Sequence, residues 1–257
     1  MVRYCYIVTE GPQDIEFLSR ILRKFHGLTL VTQFSLLNSF WKPLVPRNFP
    51  VDDDLKKRVP VPTFLQNSEL SVALHSAEGI ERLVNTIEES LTLISFDQIF
   101  GIGIVLDADD NEKPDDRFNK LISSPNLPKL SLPSKPGEVT KDSPRLGIFI
   151  MPNNVEPGTL EDILLECAKV NYPELLNLSN SYISGIDTNK LNKNDLKYFK
   201  KPAGKNKAIV SMISSVLRPG KTLQVSLQDN RWIDKETIGL NSVSAIRIFL
   251  NQVTGFI

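Results

Sequence analysis

Three carboxylates stand where strand-like runs stop: Glu10, in Thr9-Glu10-Gly11-Pro12, and Asp107 and Asp109, in Leu106-Asp107-Ala108-Asp109. Residues two apart along an extended segment point the same way, so Asp107 and Asp109 can face one ion together. Clustered carboxylates repel one another unless a cation lies between them, and hard divalent cations take oxygen ligands. The chemistry expected is therefore a site for Mg²⁺ or Mn²⁺, which Glu10 joins if the first strand lies beside the one ending at Asp107. Turn chemistry is the plainer alternative, since an Asp-x-Asp in a loop also serves as a helix cap or a solvated turn.

A second group of residues carries the opposite charge. From Lys190 to Lys221 the chain holds many lysines, among them Lys200, Lys201, Lys205 and Lys207, against a single acid, Asp195. Such a local excess in a neutral chain suits contact with the phosphates of a nucleic acid. A lysine-rich loop also arises from solvation alone. Tyr198 and Phe199 beside it read either as rings that stack on bases or as core. The run Asp52-Asp53-Asp54 is read as a solvated loop, because three adjacent side chains do not converge easily on one ion.

These residues need elements to position them. Tyr4–Thr9 is a buried strand, followed by a helix with Ile15, Leu18, Ile21, Leu22 and Phe25 on one face. Leu28–Phe34 reads as a second strand. Trp41–Gln66, broken by Pro43, Pro46, Pro50, Pro60 and Pro62, reads as an excursion from the core, a loop or a small hairpin insertion. A strand at Leu70–Leu74, a helix at Ala77–Leu93 and a nearly continuous apolar strand at Ile99–Leu106 come next. A short helix at Asp115–Ile122, a strand at Leu146–Met151 and a helix through Lys169 capped by Thr159 complete the pattern. This alternation predicts a mostly parallel sheet with flanking helices, and ligands of such sheets bind beyond the carboxyl ends of the strands. The expected division is residues 1–170 for the α/β core, with a proline-rich insertion at about 41–67, and 171–257 for a helical part packed on it.

Composition excludes several classes. With 30 basic and 30 acidic residues the chain carries no bulk charge for coating nucleic acid, so any polyanion meets a local patch. Cys5 and Cys167 are too few and too far apart for a zinc ribbon or a disulfide framework, and read as buried reduced thiols. No apolar stretch approaches the ~20 residues of a membrane span, and the first residues run straight into a strand, so the cytoplasm is expected. His26 and His75 sit beside no nucleophile motif, and Gly101-x-Gly103 lies inside a strand rather than at a phosphate-binding turn. A phospho-acceptor receiver domain is disfavoured, because Pro152-Asn153-Asn154 stands where its lysine would be.

Thr9-Glu10-Gly11-Pro12-Gln13-Asp14 followed by Leu106-Asp107-Ala108-Asp109 resembles the signature of the Toprim fold. That fold is shared by topoisomerases, bacterial primases, overcoming-lysogenization-defect nucleases and small recombination proteins. The chain looks most like stand-alone Toprim-like bacterial proteins, in which a strand ending in proline leads to Gly-x-Leu-Glu-Asp at a helix start. Here these are Met151-Pro152 and Gly158-Thr159-Leu160-Glu161-Asp162, and the resemblance covers about residues 3–170. It implies a Toprim-like, Rossmann-like sheet in which Asp107 and Asp109 hold Mg²⁺ and Glu10 moves a proton or ligates metal. Glu161 adds a ligand of a second site, with Asp14, Asp110 and Asp162 around it. The implied activity is metal-dependent cleavage of phosphodiester bonds in DNA or RNA, in a defence or toxin role. The alternative is a non-catalytic module that binds metal, nucleotide or a protein partner, including a second copy of itself. A topoisomerase would need a strand-cleaving tyrosine domain and a primase a zinc module, and neither is present. The long separation between Glu10 and Asp107 is attributed to the proline-rich insertion.

Overall fold

The computed structural model describes residues 2–48, 53, 60–109, 112–124, 127 and 131–256. Asp110, most of the Asp52–Asp54 triplet and the neighbouring Lys56-Lys57-Arg58 lie outside the described residues. The sheet is built from β1 (Arg3–Thr9), β2 (Thr29–Leu30), β3 (Thr63–Gln66), β4 (Leu70–Ser76), β5 (Ile99–Asp107) and β6 (Arg145–Met151). The helices are α1 (Pro12–Phe25), α2 (Ile80–Leu93), α3 (Pro114–Ile122), α4 (Leu160–Asn171), α5 (Pro173–Ser184), α6 (Gly204–Leu217), α7 (Leu223–Asp229) and α8 (Asn241–Thr254).

The strand order is β2-β3-β4-β1-β5-β6. The four strands from β4 to β6 run parallel, while β3 pairs antiparallel with both β4 and β2. Alternation along β1 feeds two cores. Cys5 and Ile7 face one side with α1, α4, α6 and α8; Tyr6 and Val8 face the other with α2 and α3. The helices after residue 171 share the first of these cores with the parallel strands. Both cysteines are buried and unpaired. Among the described residues no helix is long and apolar enough to cross a membrane.

Two expectations are corrected. The segment from Trp41 to Gln66 is not simply an excursion. Its end supplies β3, and its start supplies Trp41, which is fully buried and donates from Nε1 to Ser71 Oγ at 2.9 Å. Prolines interrupt regular structure there without preventing the apolar side chains from packing. Because β3 adds on the outer side of β4, it does not separate β1 from β5. The strand expected at Leu28–Phe34 shortens to Thr29–Leu30, because β3 offers it a partner only at Leu65 and Gln66. Phe34–Leu36 then turns as a 3₁₀ helix.

The glycines of the central strands explain how α8 sits so close to the sheet. A Cβ on Gly101 would overlap the Val253 carbonyl, and one on Gly147 would press into the Phe249 ring. Gly101→Ala is therefore expected to lower stability by about 1–3 kcal/mol through overpacking, read as a lower urea midpoint with an unchanged slope.

Candidate functional site

Parallel pairing brings β1 and β5 out at the same edge, with Thr9 opposite Val105. Glu10 follows β1 directly and Asp107 is the last residue of β5, so both carboxylates emerge together. Two helix starts close over them. Asp14, in the first turn of α1, accepts a hydrogen bond from the Gly11 N–H at 2.9 Å and is buried. At the start of α4 the Leu160 N–H donates to Asp107 Oδ1 at 2.9 Å, and the next residue, Glu161, is only 4% exposed.

The electrostatics of this group are unfavourable as it stands. Burial raises the Asp107 carboxyl well above the usual range; Asp14, Glu10 and Glu161 add repulsion, and only the Leu160 N–H opposes them. Burial likewise pushes Asp14 up to about 7, with Glu10 and Glu161 contributing and the Gly11 N–H and Lys207 pulling back. Glu10 is raised by desolvation, against the pull of Arg117.

Arg117 is the main cation of the site. It is 6% exposed, on the inward face of α3. Its Nη2 lies 3.3 Å from Glu10 Oε1 and 3.1 Å from Asp109 Oδ2, and its Nη1 lies 3.4 Å from Glu112 Oε2. Its Nε also donates to the Asp107 carbonyl at 3.2 Å. A guanidinium thus sits among two of the three carboxylates that the sequence assigns to an ion.

The expected partnership of Asp107 and Asp109 is therefore redrawn. β5 ends at Asp107, and Asp109 takes a left-handed φ of 61°, bridging to Gly158. Two-residue alternation no longer applies there; the Asp109 side chain is 59% exposed and turns to Arg117. Asp107 instead shares its surroundings with Asp14, Glu10 and Glu161. Asp162 is committed elsewhere: Oδ2 accepts from the N–H of Thr159, the residue before α4, at 2.8 Å, and Oδ1 accepts from Asn206 Nδ2 at 2.9 Å.

The donor set fits a hard divalent cation by its chemistry, because several buried oxygens share too little positive charge. Among the described residues, though, no three acidic, histidine or cysteine side chains are already gathered for a metal.

Beside the carboxylates opens a pocket of about 680 Å³, lined by Asp109, Glu112, Tyr198, Phe199, Lys201 and Lys207 among others. Two of the expected phosphate contacts, Lys201 and Lys207, thus share this pocket with Asp109 and Glu112, whereas Glu10, Asp14, Asp107 and Glu161 do not line it and Lys200 and Lys205 are exposed outside it. Tyr198, read alternatively as core, is 68% exposed. A larger concavity of about 780 Å³, against α8, is lined by none of the site residues.

Comparison with known proteins gives one family and one solved structure. The family model described as "Protein of unknown function (DUF3226)" matches residues 5–253. The crystal structure of a hypothetical protein from Pyrococcus horikoshii OT3 is similar in fold, at 17% identity and a TM-score of 0.56. The similarity covers 98% of this chain and 95% of that one. No curated protein matches.

Proposed function

We propose that this chain, which belongs to the DUF3226 family of proteins of unknown function, cleaves phosphodiester bonds of nucleic acid in the cytoplasm with the help of a divalent cation. One observation carries the reading: Asp14, Asp107 and Glu161 are each buried near the carboxyl edge of the parallel strands and repel one another, with only Lys207 as a cation acting on Asp14. Such an arrangement is costly unless a cation or a proton occupies it. The Toprim-like motifs around Glu10, Asp107 and Glu161 support the same assignment.

Asp107 and Glu161 would hold Mg²⁺ or Mn²⁺, with Asp14 behind them. When bound, the cation supplies Lewis acidity toward a phosphoryl oxygen and offsets developing charge. The protein's own residues do the rest. Lys201 and Lys207 draw phosphate into the pocket. Glu10, whose proton affinity is raised by burial, is placed to exchange a proton with an attacking or leaving oxygen. Arg117 holds Glu10 in position.

The test incubates purified protein with plasmid, single-stranded DNA and total RNA in Mg²⁺, Mn²⁺ or chelator. Cleavage is expected to vanish in chelator and to fall about 10²-fold or more in Glu10→Gln and Asp107→Asn. Cleavage that persists in both variants would remove the reaction from this site.

A second reading has its own support. Arg117 already pairs with Glu10 and Asp109, which suits a non-catalytic module for metal, nucleotide or a protein partner, including a second copy of the chain. Absence of cleavage together with intact ligand binding would favour it.

A further inference from the structure

We infer that Tyr198 is a stacking platform for an unpaired base, so that the polymer entering the pocket is single-stranded. The inference rests on the phosphodiester reading above and names the substrate class of that site.

Tyr198 combines three properties. Its ring is 68% exposed, although a large aromatic on a surface loses the benefit of burial. It lines the same pocket as Asp109 and Glu112, the two carboxylates that share Arg117 with Glu10. Two ammonium groups lie over the ring, Lys201 Nζ 5.0 Å and Lys197 Nζ 5.8 Å from its centroid. A base stacking on the ring takes their place over the π-face and leaves the displaced cations beside it to meet the adjoining phosphates.

The backbone that carries the ring is tied into a closed turn. Leu196, two residues earlier, is buried, and its carbonyl accepts from the Lys200 N–H at 3.0 Å. The Tyr198 carbonyl accepts from the Lys201 N–H at 3.2 Å, and the Lys201 carbonyl from the Gly204 N–H at 2.8 Å. Gly204 lets this turn close, since a Cβ there would overlap the carbonyls of both Tyr198 and Phe199. Backbone ordered before binding gives up little conformational freedom on binding.

Size and stacking select the polymer. A pocket of about 680 Å³ lies within the range of sites that enclose a small ligand. In a duplex the base faces are covered by their neighbours, whereas unpaired bases can splay out onto an aromatic side chain. A mononucleotide would offer the same face, but only a polymer adds further phosphates for Lys197 and Lys201.

The test measures fluorescence anisotropy in chelator, so that no cleavage intervenes. The probes are a labelled single-stranded oligonucleotide of about 12 residues, the same sequence as a duplex, and a mononucleotide competitor. The single strand is expected to bind at least about tenfold more tightly than the duplex. Tyr198→Ala should weaken it by about 5- to 100-fold, and Tyr198→Phe, which keeps the π-face, by no more than about twofold. Equal binding of duplex, an unchanged Tyr198→Ala, or a mononucleotide that competes as well as the oligomer would each overturn the platform. Cleavage that still depends on Glu10 would then leave the acidic site standing. If wild-type protein binds no nucleic acid at all, the platform and the phosphodiester reading fall together.

Discussion

Between pH 4 and pH 8 the wild-type protein, without metal, loses stability that an Asp14→Asn variant keeps. The cause is the burial of Asp14 among Glu10 and Glu161, which moves its carboxyl from the ordinary 3.8 to about 7. The folded state therefore holds a proton that the unfolded chain has released. A carboxyl raised in this way contributes stability fully below about 3.8, and that contribution is lost as pH rises through about 7. The expected loss is on the order of 2–4 kcal/mol. Asparagine keeps an acceptor for the Gly11 N–H but has nothing to ionise. His26 and His75, both held below their ordinary values by burial, change stability in the opposite sense. The comparison with Asp14→Asn cancels their contribution. Urea unfolding of the two proteins across this range checks the result; parallel profiles would show that Asp14 carries no such burden. On the proposed function, Mg²⁺ or Mn²⁺ should restore much of the loss at pH 8 and little at pH 5, since at low pH protons already occupy the site.

Replacing Arg117 by glutamine is expected to destabilise the metal-free fold by about 2–4 kcal/mol and, at the same time, to tighten binding of Mn²⁺. Removing one partner from a buried ion pair leaves the other charge uncompensated. Of the three carboxylates on Arg117, Glu10 is the most enclosed, while Asp109 and Glu112 are partly exposed and contribute less. With the guanidinium gone, the oxygens that it holds become available to another cation, and the local charge becomes more negative. Urea denaturation reads the first effect and titration calorimetry with Mn²⁺ the second. A weaker affinity for Mn²⁺ in the variant would mean that Arg117 supports the cation instead of competing with it.

The sheet and the edge at which the carboxylates gather were legible because both depend on patterns confined to short windows. The aromatic and β-branched run before Glu10 and the apolar run before Asp107 mark buried parallel strands, and parallel strands present their ends together. Glu161 was singled out only through the resemblance of Gly158-Thr159-Leu160-Glu161-Asp162 to a family motif, since an acid at a helix start is also stabilised by the helix dipole alone. Arg117 escaped notice because an arginine on a short helix reads as solvated. A signal was nonetheless available. Pro114, Arg117, Phe118 and Leu121 are spaced three, four and seven apart, and all four face inward. An arginine on the apolar stripe of a helix needs buried acids to meet it. Asp109 was misplaced because the two-residue alternation was extended past the end of its strand. β3 was missed because prolines and charges mask a four-residue strand whose partner, β4, comes after it. Tyr198 could not be assigned from sequence, since a tyrosine beside a phenylalanine serves equally well as core or surface.

The glycine floor beneath α8 has a consequence in time. Cys5, on β1, donates its thiol to the carbonyl of Val253, 248 positions later. The central strands expose bare backbone on that side until α8 arrives to cover it. Chains built on such distant pairings close slowly. Until α8 docks, the sheet stays open on that face, and such unsealed intermediates are the ones that associate with neighbouring chains.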